Sequence, residues 1–107
     1  MSEKEMNQPD LFDIVELLVD LPEDKLSTGT QGTIVECYQD NTYEVEFTNS
    51  LGETLALCTL FPQQFVVVWQ AKTKSWLSLS EQITAVVNNL DTQRQKEVFK
   101  FIRSLQS

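Results

Sequence analysis

GTIVECYQDNTYEVEF, residues 32–47, carries the pattern that decides the fold. Tyr43, Val45 and Phe47 alternate with Glu44, Glu46 and Thr48, the period-2 signature of a strand with one face in a core and one in water. Before it, TIVECY is dominated by β-branched residues and reads as a second strand opened by Gly32. Between the two, QDNT (39–42) supplies Asp and Asn, which tolerate a left-handed backbone, so the pair folds into a hairpin.

Outward from this hairpin the strand signals continue. Asn49–Gly52 is a turn and ETLALCTL (53–60) another strand; a short turn at 61–64 with Pro62 precedes FVVVW (65–69). That run is apolar without alternation, as suits a strand covered on both sides. PEDKLSTGT (22–30) is a loop with Gly29 as its positive-φ residue. LFDIVELLVDLP reads two ways: Leu11, Ile14, Val15 and Leu18 fit a helix period, while Val15, Leu17 and Val19 fit a strand. The strand and turn material that follows favours a strand over about 13–21. Five short strands with turns every 8 to 12 residues point to a mainly β protein with an α appendage, the β part a small closed barrel.

After residue 70 the period changes. QAKTKSW reads as a linker, 71–76, and Ser78 with Glu81 has the spacing of a capping box. Ile83, Val86, Val87 and Leu90 follow at helical spacing; Asp91 caps a second helix with Val98, Phe99, Ile102 and Leu105 in its stripe. The domain plan is an acidic flexible leader (1–10), a β-barrel (11–70), the linker and an αα-hairpin (77–106).

With 107 residues, 41% of them hydrophobic and 22% charged, the chain has the make-up of one globular domain. No apolar run reaches the roughly 18 residues of a spanning helix, and MSEKEMNQPD lacks the basic start and apolar core of a secretory signal, so the expectation is a cytoplasmic protein without membrane contact. With no histidine, and Cys37 and Cys58 lying 21 apart, no metal or cofactor site is expected; the thiols read as reduced core residues on neighbouring strands. Glu23/Asp24 and Glu44/Glu46 offer paired carboxylates, but a small barrel has no cleft to shift a pKa, so no catalytic residue is assigned.

The net charge of −8 conceals an asymmetry. Residues 1–70 carry 13 acids against Lys4 and Lys25, a balance of −11, whereas 71–107 carry three acids and six bases, +3. Such an acidic β body repels phosphate and lacks an aromatic and basic stacking platform, which argues against nucleic acid as the barrel's ligand. It suits a basic protein partner, with Asp20, Glu23, Asp24, Glu36, Asp40, Glu44 and Glu46 as contact candidates; each also reads as a solvated residue keeping a small protein soluble. Trp69 and Trp76 are either interface anchors or residues that close the core. Lys72, Lys74, Arg94, Lys96, Lys100 and Arg103 read as a solvated basic face. Two amphipathic helices alone bury their stripes poorly, so Phe99 and Ile102 are candidates for contact with the barrel, a partner or a second copy, making a homo-oligomer.

From Ile14 to Phe65 the sequence resembles a family of small bacterial domains of unknown function. The match rests on the D-L-P after the first strand, on Gly29-x-x-Gly32-Thr33 and on Tyr43-Glu44-Val45-Glu46-Phe47. That resemblance implies an SH3-like barrel and, because many members are encoded in cyanobacteria beside small toxin genes, a partner-binding role. In the tail, Gln95, Glu97, Val98, Phe101, Ile102 and Leu105 are similar to a helical segment common in small antitoxin-like proteins. Together these resemblances imply an antitoxin or immunity protein that binds a small basic toxin, without catalytic residues to transfer. A self-assembling structural or adaptor subunit built on the helical hairpin is the alternative.

Overall fold

A computed structural model describes residues 8–106. The leader reading over 1–10 falls mostly outside these residues. Six strands, β1 (Ile14–Leu17), β2 (Gln31–Cys37), β3 (Tyr43–Thr48), β4 (Thr54–Leu60), β5 (Phe65–Gln70) and β6 (Ser75–Trp76), are followed by helices α1 (Leu79–Asn88) and α2 (Thr92–Ser104). All pairings are antiparallel, in the order β4-β3-β2-β1-β5-β6.

The mainly β reading with two C-terminal helices holds, whereas the closed five-stranded barrel does not. Closure requires a ladder between the two end strands; here β4 and β6 carry none, and the sheet stays open. Its curl is nevertheless strong. Tyr43 on β3 packs edge to face on Phe65 of β5, ring centroids 5.6 Å apart, although two strands lie between them in the sheet. Register shifts at Ile14/Val15, Ile34/Glu36 and Phe47/Thr48 supply the local bends that let the inner faces meet.

Alternation places the core. Val15, Leu17, Ile34, Val45 and Phe47 are fully enclosed, with Leu26, Cys58, Leu60, Phe65 and Val67 around them. Phe65, Val66, Val67 and Val68 are all buried, as an unalternating run should be: Phe65 and Val67 join the inner core, while α1 packs on β5. The first strand is four residues long, shorter than the 13–21 expected: Leu18 N still donates to the Gln64 carbonyl beside β5, but beyond it the chain leaves the sheet and Leu21 bridges back to Leu26. Gly29, at φ +93°, donates to the Leu17 carbonyl and turns the chain into β2.

Residues 71–76, read as a linker, form the turn and return strand of a further hairpin, in which Trp69 pairs with Trp76 and Gln70 with Ser75. Lys74, at φ +52°, makes its turn. The capping box is present, Ser78 Oγ accepting from Glu81 N and Glu81 Oε1 from Ser78 N, and Asp91 accepts from Arg94 N at the start of α2. Gln95 Nε2 donates to the Val87 carbonyl and ties the helices together.

Candidate functional site

Three of the proposed acids come together on the outer face of the sheet. Glu44 stands opposite Glu36 across β2–β3, and Glu46 lies two residues further along the same face of β3. Both β3 carboxylates reach sideways to β4: Thr59 Oγ1 donates to Glu44 and Thr54 Oγ1 to Glu46, each at 2.6 Å. These contacts fix where the charges sit without neutralising them. Among the described residues the one ion pair is Arg94–Glu97 within α2, so the sheet acids have no cation against them.

The remaining acids serve the backbone. Asp20 accepts from the amide and hydroxyl of Thr28, which closes the loop after β1 and holds its carboxyl below the usual range. Asp40 accepts from the amide and hydroxyl of Thr42 and shapes the β2–β3 turn beside Asn41, at φ +66°. Glu23 and Asp24 form a short 3-10 turn with Pro22. Asp24 meets the Sγ of Cys58, an inward residue of β4, at 3.5 Å, whereas Glu44 and Glu46 point outward. The acidic set is thus divided between the two sides of the sheet.

Of the aromatic and helical candidates, Trp69 and Trp76 form a cross-strand pair with ring centroids 6.5 Å apart; Trp69 is half-buried and Trp76 exposed. Phe99 and Ile102 lie exposed on α2, where Arg103 stacks its guanidinium over the Phe99 ring at 4.4 Å. Val86, Val87, Leu90 and Val98 take the half-buried positions at the helix contact, and Ile83 is exposed. The basic residues of the tail are exposed, as a solvated face should be.

The reading of the cysteines needs correction. Cys37 is exposed, and β3 lies between the strands carrying Cys37 and Cys58, so the two thiols are not a core pair on neighbouring strands. Burial, together with the bond to Asp24, pushes the Cys58 thiol up to about 11.

Sequence reasoning missed Asp13. It is 2% exposed, accepts from Asp10 N through Oδ2 and from Ala71 N through Oδ1, both at 2.9 Å, and so ties the chain before β1 to the β5–β6 turn. Asp10, assigned to the leader, is anchored here. Burial raises the Asp13 carboxyl, opposed by the two backbone donors. Neighbouring Phe12 sits at φ +69°, strained for a bulky side chain and held by the hydrogen bond its N–H donates to the Ile34 carbonyl. Within LFDIVELL Asp13 reads like Glu16, as a solvated residue, and no local pattern marks it as the buried one.

Residues 11–67 match the family described as Domain of unknown function (DUF4926), and the chain belongs to that family. No curated protein and no solved structure matches it. Among the described residues no helix is long and apolar enough to cross a membrane, and no group of side chains could hold a metal ion.

Proposed function

We propose that this chain is a non-enzymatic protein-interaction module, the antitoxin or immunity member of a pair, whose acidic sheet face binds a small basic protein in the cytoplasm. One observation carries the reading: Glu36, Glu44 and Glu46 share the outer side of the β2–β3 hairpin without a cation partner among the described residues, the latter two held in place by threonines. Fixed, unpaired charges on a rigid sheet steer an oppositely charged partner and lose no side-chain freedom when it docks. Asp40, at the tip of the same hairpin, extends the field. Asp20, Glu23 and Asp24 contribute at longer range.

Association should be salt-sensitive. Raising ionic strength slows the on-rate, and Glu44→Lys with Glu46→Lys weakens binding through the same step. Stopped-flow association with the basic partner tests this; equal rates for wild type and double variant at low salt would exclude the sheet face as the docking surface.

A second reading, a self-assembling adaptor, is supported by the exposure of Phe99 and Ile102 beside Phe101 and Leu105 on α2. Light scattering on a Phe99→Ser, Ile102→Ser variant tests it: an oligomer that falls apart supports assembly through the hairpin, and one that persists excludes it.

A further inference from the structure

We infer that α2 docks on the acidic outer face of β3 and β4 in a second copy of this chain, so that copies associate head to tail. α2 has no buried residue, and its apolar side chains find no full cover in their own chain. Along it Lys96, Phe99, Lys100 and Arg103 stand at i, i+3, i+4 and i+7, which sets an exposed phenylalanine within a row of three exposed cations. Arg103 lies over the Phe99 ring. None of the three cations meets an acid among the described residues, where the one ion pair is Arg94–Glu97.

The outer sheet face carries the opposite arrangement. Glu44 reaches Thr59 and Glu46 reaches Thr54, which sets one carboxylate to either side of Leu57, the exposed partner of Glu46 on that face. An apolar side chain between fixed anions thus answers an aromatic one among cations. The spacings agree as well. Lys96 and Lys100 are one helical turn apart, about 6 Å along the axis, and Glu44 and Glu46 are two strand residues apart, about 7 Å. From Glu36 on β2 to the carboxylates over β4 the patch is about 10 Å wide, the width of one helix. Within one chain the two sets do not meet: α1 packs on β5 and holds α2 through the Gln95–Val87 bond, whereas β3 and β4 close the far side of the sheet. A symmetric α2–α2 contact through this row would set cations against cations, and an extended phosphate surface would also face the acidic β body. The outer face of another copy supplies both the anions and the apolar centre. At physiological salt a Debye length of about 8 Å screens the net charges of the two copies, while pairs in contact still attract.

This inference rests on the self-assembly reading and gives α2 its docking surface; it also makes the chain's own helix a competitor for the face offered to a basic partner. Its test needs no partner, so its failure leaves the basic-partner reading untouched. Sedimentation equilibrium at physiological salt, from micromolar to millimolar concentration, should give a mass that rises above the 12.3 kDa of one chain. Lys96→Glu with Lys100→Glu, and Glu44→Lys with Glu46→Lys, should each leave a monomer with an unchanged circular dichroism spectrum. Mixing the two folded variants, or joining all four substitutions in one chain, should restore association, because opposite charges then face each other again. Carbodiimide coupling of mixed isotope-labelled and unlabelled wild type decides the matter should a variant unfold: Lys96 or Lys100 should join Glu44 or Glu46 between differently labelled chains. A wild type monomeric at millimolar concentration, a mixture of folded variants that stays monomeric, or an absence of those couplings would overturn the inference. Assembly that ignores the charge changes yet is lost with Phe99→Ser, Ile102→Ser would overturn it too, while leaving self-assembly through the helices standing. Binding of a monomeric wild type to phosphatidylglycerol vesicles, lost with Lys96→Glu and Lys100→Glu, would assign α2 to an anionic lipid surface and overturn it equally.

Discussion

Gly32→Ala should destabilise the fold, against the ordinary expectation for glycine in a strand. Replacing an interior strand glycine removes an entropic cost of about 0.5–1 kcal/mol, and burying one more methyl adds about 0.8 kcal/mol. Gly32 faces inward opposite Val15, and a Cβ there would lie 2.8 Å from Phe47 Cε1, 2.8 Å from Val45 Cγ1 and 2.9 Å from the Glu46 carbonyl oxygen. Phe47 and Val45 are fully enclosed, and Glu46 belongs to the β2–β3–β4 ladder, so none can retreat without moving the sheet. Overpacking costs about 1–3 kcal/mol and occasionally more; three simultaneous contacts put this site at or beyond the top of that range. The net loss is about 2 kcal/mol, which lowers the melting temperature by roughly 10 °C in a domain of this size. Urea unfolding followed by the fluorescence of Trp69 and Trp76 reads it as a lower midpoint at unchanged slope. Gly52→Ala is the contrasting variant: its φ is +81° with nothing within 4 Å of the new Cβ, so it costs about 1 kcal/mol from backbone strain alone. A Gly32→Ala protein as stable as wild type would refute the close-approach explanation.

Asp13→Ala should cost about 2–3 kcal/mol, because the amides of Asp10 and Ala71 lose their acceptor; a melting temperature within a degree of wild type would contradict this. Its charge adds a pH signature. Burial raises the folded-state pKa, so the folded protein holds this proton more tightly than the unfolded chain, and the associated stability is present below the unfolded pKa and lost as pH rises through the folded one. Relative to Asp13→Asn, which does not titrate, wild type should gain stability as pH falls through that window, and denaturant midpoints measured in parallel would show the difference. Thiol labelling should modify the exposed Cys37 first, slowly at neutral pH because partial burial and the nearby Asp10, Asp13 and Glu36 raise its thiol, while Cys58 reacts only on unfolding, being buried with its pKa near 11; equal rates in the native state would place Cys58 wrongly.

The hairpin of β2 and β3 was legible because alternation states which residues face inward, and Tyr43, Val45 and Phe47 are buried as their spacing requires. FVVVW was legible for the opposite reason, its lack of alternation matching a strand with core on one side and α1 in contact. Closure was not legible. A period of two assigns faces, but whether the last strand returns to β4 depends on lengths and bends outside any single strand, and here the chain turned into β6 and α1 instead. QAKTKSW concealed β6 because two residues are too few to show a period; the pairing of Trp69 with Trp76 is the signal that was there to use. The site was legible in part. Glu44 and Glu46 announce an outward face, whereas the use of Asp20 and Asp40 as loop clamps and of Asp13 as a buried tie depends on contacts to Thr28, Thr42 and Ala71 that sequence spacing alone does not single out.

Affinity capture from the host cell with tagged wild type and with the Glu44→Lys, Glu46→Lys variant, each at low and high salt, tests the acidic face most directly. A small basic protein held by wild type at low salt, shed at high salt and never held by the variant is the predicted result. The same proteins retained by both, at either salt, would contradict it.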